Sequence, residues 1–231
     1  TGTVRAYIDT GVEVTAVATT PDGNHAVVAD GDSDLAAIVS LATDAIVATL
    51  SVPEYPFGVL VSPDGQTAYV GTGTGTDRLY FIQLAGAASS IVGSVTPGNI
   101  GPMALSADGA QLGIYNYYDG QFVLIDTATR AVTAQVAVPT GAYDDEVAFA
   151  PDGSRAYVTN YSRGQVLVIH ADGAASHLEA TVTGITNAGS VSVDAAGQFV
   201  YVGGVAGEAR TPVVYVIDAA TNTVVRTVSL G

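Results

Sequence analysis

The sequence predicts an all-β fold assembled from five four-stranded antiparallel units, and three observations carry that prediction. A turn tripeptide returns along the chain as Pro21-Asp22-Gly23, Pro63-Asp64-Gly65, Ala107-Asp108-Gly109, Pro151-Asp152-Gly153 and, degraded, Ala195-Ala196-Gly197. Its glycines are 42 residues apart once and 44 apart three times, which marks an internal repeat. Each repeat holds four short runs rich in Val, Ile, Ala, Thr and Tyr, bounded by Gly, Pro, Asp and Asn, with no sustained helical period.

The elements follow in order within each copy. An apolar run precedes the turn (VTAVAT, GVLVS, MALSA, VAFAP, VSVDA) and a second follows it (HAVVAD, TAYVGT, LGIYN, RAYVTN, FVYVGG). Aspartate-glycine between such runs signals a hairpin, because glycine accepts the positive φ of the turn. A third run comes next (DLAAIVSL, RLYFIQL, QFVLID, QVLVIH, VVYVID), and then a fourth (AIVATLSV, SIVGSV, AVTAQVAV, LEATVTG, TVVRTVSL). The first three are apolar on both faces, as in sheets sandwiched between neighbours. The fourth alternates, with Val132, Ala134 and Val136 against Thr133 and Gln135, as a half-exposed outer strand does.

Four antiparallel strands in roughly 43 residues make one blade of a β-propeller, and a blade cannot bury its faces alone. The predicted fold is therefore a single propeller domain over 1–231, with repeats at about 12–52, 53–96, 97–138, 139–184 and 185–231. Residues 1–11 read as an extra N-terminal strand of the fourth type. It can add to the last blade, displace the C-terminal strand, or pair with another chain. An edge strand left unpaired favours self-association.

Tyr157-Val158-Thr159-Asn160 carries a more specific signal, together with the Pro-Asp-Gly turn and Ile125-Asp126-Thr127-Ala128-Thr129, nearly copied at Ile217 to Thr221. These motifs resemble the YVTN-type β-propeller repeat of archaeal and bacterial surface-layer and secreted proteins. The resemblance implies a propeller on the cell surface or outside the cell, and no particular reaction. That family is often seven-bladed, whereas this chain has five copies.

Composition narrows the function classes. The chain of 231 residues has no cysteine, which excludes disulfides, thiolate zinc sites and cysteine nucleophiles. Its seven basic residues are all arginine, and with 22 acidic residues the net charge is −15. Duplex DNA and anionic bilayers are repelled by such a surface, and no apolar run approaches the length of a membrane span. No export signal opens the sequence, so any such segment is expected to have been removed or to lie outside these residues.

Alternating strand direction places the loops before each first strand on one face with those joining second and third strands. That entry face is expected to hold Glu13, Asp30, Asp32, Asp34, Glu54, Asp77, Asp119, Asp144, Asp145, Glu146 and Glu208, against Arg78, Arg163 and Arg210. It also gathers Tyr55, Phe57, Tyr117, Tyr118, Tyr143 and Tyr161. Tyrosine offers a large contact area at low entropic cost, with a hydroxyl for orientation. A protein or glycan partner is therefore expected on Tyr117, Tyr118, Asp119, Tyr143, Asp144, Tyr161 and Arg163.

Asp30-Gly31-Asp32-Ser33-Asp34 sets three carboxylates at alternate positions, which can converge on calcium if the loop curls. It is no EF-hand, since Leu35 and Leu41 stand where glycine and glutamate are required. The competing reading is a solvated acidic turn. His25, His170 and His177 show no triad or zinc-ligand spacing and read as structural or surface residues. The expected function is thus a non-enzymatic surface or secreted binding propeller or a component of a surface array, requiring no cofactor. The alternative is a propeller enzyme of lactonase, lyase or glycosidase type with a carboxylate-lined site.

Overall fold

A computed structural model describes residues 2–4, 6–11, 13–142 and 145–231. The protein is all-β, with five four-stranded antiparallel sheets, each in simple sequential order. The first sheet comprises β1 (Val14–Thr19), β2 (His25–Asp30), β3 (Leu35–Ser40) and β4 (Ala45–Ser51). The second comprises β5 (Pro56–Val61), β6 (Thr67–Thr72), β7 (Leu79–Gln83) and β8 (Ser90–Val95). The third comprises β9 (Met103–Leu105), β10 (Gln111–Asn116), β11 (Gln121–Asp126) and β12 (Ala131–Ala137). The fourth comprises β13 (Val147–Phe149), β14 (Arg155–Asn160), β15 (Gln165–His170) and β16 (His177–Thr183). The fifth comprises β17 (Ser190–Val193), β18 (Phe199–Ala206), β19 (Thr211–Asp218) and β20 (Thr223–Ser229). Each sheet coincides with one sequence repeat.

The chain forms two compact units, Thr1–Ile100 and Gly101–Gly231. In the first unit, Val27, Ala29, Ala36 and Ile38 of the first sheet pack against Ala68, Val70 and Ile82 of the second. In the second unit, Tyr115, Phe122 and Leu124 of the third sheet meet Ala156, Val158, Leu167 and Ile169 of the fourth. The other face of the fourth sheet packs Tyr157, Val166 and Val168 against Val200, Val202 and Tyr215 of the fifth. Second and third strands bury both faces in the first four sheets, as their continuous apolar runs require, whereas in the fifth Tyr201 of β18 stays exposed. The fourth strands are the most exposed, and β20 is exposed along its whole length.

The hairpin turns repeat at atomic detail. Gly23, Gly65, Gly109, Gly153 and Gly197 all have φ between 67° and 72°, the left-handed region that glycine enters without penalty. The hydroxyls of Thr20, Ser62 and Ser106 donate to the turn aspartates and accept the amide that opens the next strand. The fifth copy keeps this pattern by moving its carboxylate: Asp194 occupies the hydroxyl position and accepts the amides of Gln198 and Phe199.

Two expectations need correction. None of the described residues from Gly2 to Glu13 lies in a strand, so the extra N-terminal strand is absent among them. The fourth place of the fifth sheet is taken by β20, whose short hairpin to β19 closes a smaller loop than any distant segment could. Ile8 instead packs on the face of the first sheet carrying Ala26, Val28, Ala37 and Val39. Nor do the fourth strands alternate throughout. In all five sheets the pairing of third and fourth strands shifts once, at a bulge that breaks the two-residue period.

Candidate functional site: the loop edge of the second unit

The second unit gathers its loops on two buried asparagines. Asn116 ends β10 and Asn160 ends β14, each with no exposed surface. Their side-chain oxygens accept the amides of Asp119 at 3.0 Å and Arg163 at 3.2 Å, closing each turn three residues later. The amide nitrogens then differ. That of Asn116 donates to the Asp119 carboxylate at 2.7 Å, inside its own turn. That of Asn160 reaches further, to the Tyr115 hydroxyl at 3.0 Å and the Thr140 carbonyl at 2.9 Å. The final asparagine of the YVTN string is therefore a fastener between two sheets. In the fifth copy Gly204 stands in its place, and β18 and β19 extend to eight residues each.

Three tyrosines are stacked above this bond network. Tyr115 is buried, and its hydroxyl donates to the Pro139 carbonyl at 2.6 Å. Burial, reinforced by the charge of Asp145, pushes its phenol far above the usual tyrosine range. Tyr117 is also buried, with its ring centre 6.5 Å from that of Tyr115. Tyr118 is 55% exposed and lies 4.4 Å from Tyr117, tilted by 44°. Two glycines make room for the stack. A Cβ on Gly101 would lie 2.7 Å from the Tyr117 ring. A Cβ on Gly141 would lie 2.1 Å from Asp145 Oδ2 and 2.5 Å from the Tyr115 hydroxyl.

The carboxylates around this edge hold backbone. Asp145, buried, accepts the Tyr161 and Ala142 amides, each at 2.6 Å. Glu146 accepts the Val191 amide at 2.8 Å and so joins the fourth sheet to the fifth. Arg163 donates to the carbonyl and hydroxyl of Thr140 at 3.0 and 3.2 Å. Tyr161 is half-buried and its hydroxyl accepts from Asn187. Tyr118, Asp119 and Arg163 therefore form the exposed part of the expected site, with Tyr117 beneath them and Tyr161 partly withdrawn. Tyr143 and Asp144 lie outside the described residues. Neither Tyr115 nor Asn187 is part of the sequence-predicted site; the YVTN motif was the signal for Tyr115, because its asparagine needs partners. Asn160 also heads the triplet Asn160-Tyr161-Ser162, but its amide is buried and bonded, which removes it as a glycan attachment point.

The acidic loop of the first unit is organised by its own backbone. Asp30 is buried and accepts the amides of Ser33 at 2.9 Å and Glu13 at 3.3 Å. Asp34 accepts the Tyr55 amide at 2.9 Å, while Asp32 is exposed. The Tyr55 hydroxyl donates to Glu13 at 2.9 Å, a bond that raises its pKa. Among the described residues, no three acidic or histidine side chains gather as a metal site. The GTGTG stretch at 71–75 contributes to an open pocket of about 610 Å³, where Asp77 accepts from Asn99 and from the Ile100 amide.

No protein-family model matches the chain. No curated protein matches it either. Among solved structures, it resembles the crystal structure of a functionally unknown protein from Desulfotomaculum acetoxidans DSM 771. The two superpose with a TM-score of 0.75 at 17% identity, over 93% of this chain and 69% of that one. At that identity the likeness is one of fold.

Proposed function

We propose that the protein is a non-enzymatic β-propeller of the YVTN-repeat type, exported or held at the cell surface, which binds a protein or glycan partner through the edge around Tyr118. Five consecutive four-stranded antiparallel sheets, each matching one repeat, support the propeller reading. The observation that carries the binding reading is the Tyr115–Tyr117–Tyr118 stack, which offers one exposed ring on two buried ones. A ring held this way loses little freedom when a partner covers it, so the contact keeps more of its energy. Asp119, next to it in the chain, and Arg163, held on the Thr140 loop, are exposed polar groups able to orient a partner. Asp145 and Glu146 support a binding role over an acid–base one, since both are engaged with backbone amides.

The full chain, fluorescently labelled, would be applied to a glycan array, and its self-association followed by sedimentation velocity. The second arm covers a partner that is another copy in a surface array. Binding in either arm should weaken at least tenfold in Tyr118→Ala, while the thermal midpoint stays within a few degrees, because an exposed ring contributes little to folding. Binding indifferent to Tyr118→Ala, or a large loss of stability in that variant, refutes the assignment of this edge.

A further inference from the structure

We propose that His170 and His177 form a two-imidazole site for a divalent transition-metal ion of the zinc and copper kind. The chain has three histidines, and two of them end β15 and begin β16 directly opposite each other. The scaffold does not demand this pair. The corresponding positions are Ser40 and Ala45, Gln83 and Ser90, Asp126 and Ala131, and Asp218 and Thr223 in the other sheets.

The separation fits one shared ion. The ring centres are 5.1 Å apart and the planes are inclined by 43°. A ring nitrogen lies ~1.2 Å from its ring centre and ~2.05 Å from a bound zinc, so two imidazoles on one tetrahedral ion have centres ~5.3 Å apart.

The protonation pattern fits as well. Nδ1 of His177 lies 3.0 Å from the Ala175 carbonyl. A carbonyl can only accept, so Nδ1 is the nitrogen that carries a hydrogen there, and Nε2 is the nitrogen left for a metal. Metal-binding histidines are commonly oriented by such a second bond. His177 is exposed and His170 partly so, which leaves the remaining coordination positions to water.

The surrounding charge permits a cation. Arg155 opposes His170 on its other side, but Glu179 neutralises it through two bonds of 2.8 and 2.6 Å. The net charge of −15 concentrates cations at the surface in general. Imidazole nitrogen selects zinc, copper or nickel over the hard ions calcium and magnesium.

Isothermal titration of the full chain with Zn²⁺, and separately with Cu²⁺, tests the site. We expect one ion per chain, with copper bound more tightly than zinc. His177→Ala and His170→Ala should each weaken binding at least tenfold, and His25→Ala should leave it unchanged. A tenfold excess of Ca²⁺ should not compete. His177 is exposed, so its variant keeps the test decisive if His170→Ala fails to fold. An unchanged isotherm in His177→Ala, or displacement of the ion by calcium, overturns the proposal; the latter would assign binding to surface carboxylates. Neither outcome bears on the Tyr118 edge, which this site does not share.

Discussion

Replacing Asn160 by alanine isolates the bond network that holds the loop edge together. The residue has no exposed surface and makes four side-chain bonds. The Ser162 hydroxyl and Arg163 amide lie near solvent and can turn to water, so losing the turn costs about 1 kcal/mol. The two bonds donated to Tyr115 and Thr140 are internal, and each contributes about 1 kcal/mol net. The total is about 3 kcal/mol, which lowers the thermal midpoint of a unit this size by roughly 10 °C. Urea unfolding followed by far-ultraviolet circular dichroism measures it. Asn116→Ala is the internal control, because among the described residues its amide donates to the exposed Asp119 carboxylate rather than to a neighbouring sheet; its loss should stay near 1 kcal/mol. If Asn160→Ala costs no more than Asn116→Ala, the reach of its amide to Tyr115 contributes nothing and the fastener reading fails.

Two further outcomes follow from the same geometry. The Arg155 hydrogen bond holds the Glu179 carboxyl below its ordinary pKa, so this pair contributes stability above about pH 4.5 and loses it as pH falls further. The side chains are 31% and 24% exposed, so Arg155→Ala should cost only about 1 kcal/mol at pH 7. The gap from the parent protein should shrink at pH 3; an equal gap at both pH values would remove the ion pair from the account. Asp30→Ala should cost about 2 kcal/mol through the amides of Glu13 and Ser33, equally in chelator and in millimolar calcium. A loss that grows in calcium would instead make Asp30 a calcium ligand.

The strand plan was legible in the sequence because its signals are local. A tight turn needs glycine at positive φ and a buried strand needs a run of apolar residues. Both requirements recur with the period, so all five sheets fall where the repeats place them. The tyrosine-rich loops were legible for the same reason, since alternating strand direction alone brings residues 117–119 and 161–163 to one edge. Which tyrosine faces solvent was not. Tyr117 and Tyr118 are chemically identical neighbours, and the folded packing buries the first, whose ring fits against Gly101, while leaving the second exposed. The fourth-strand bulges were equally hidden, since one unpaired residue leaves no compositional trace. The two histidines stand seven residues apart with nothing special in their spacing; the antiparallel pairing of β15 with β16 alone brings their rings together. Sequence determined the elements, whose causes lie within a few residues, and tertiary packing decided the partners, because a side chain's neighbours come from other strands.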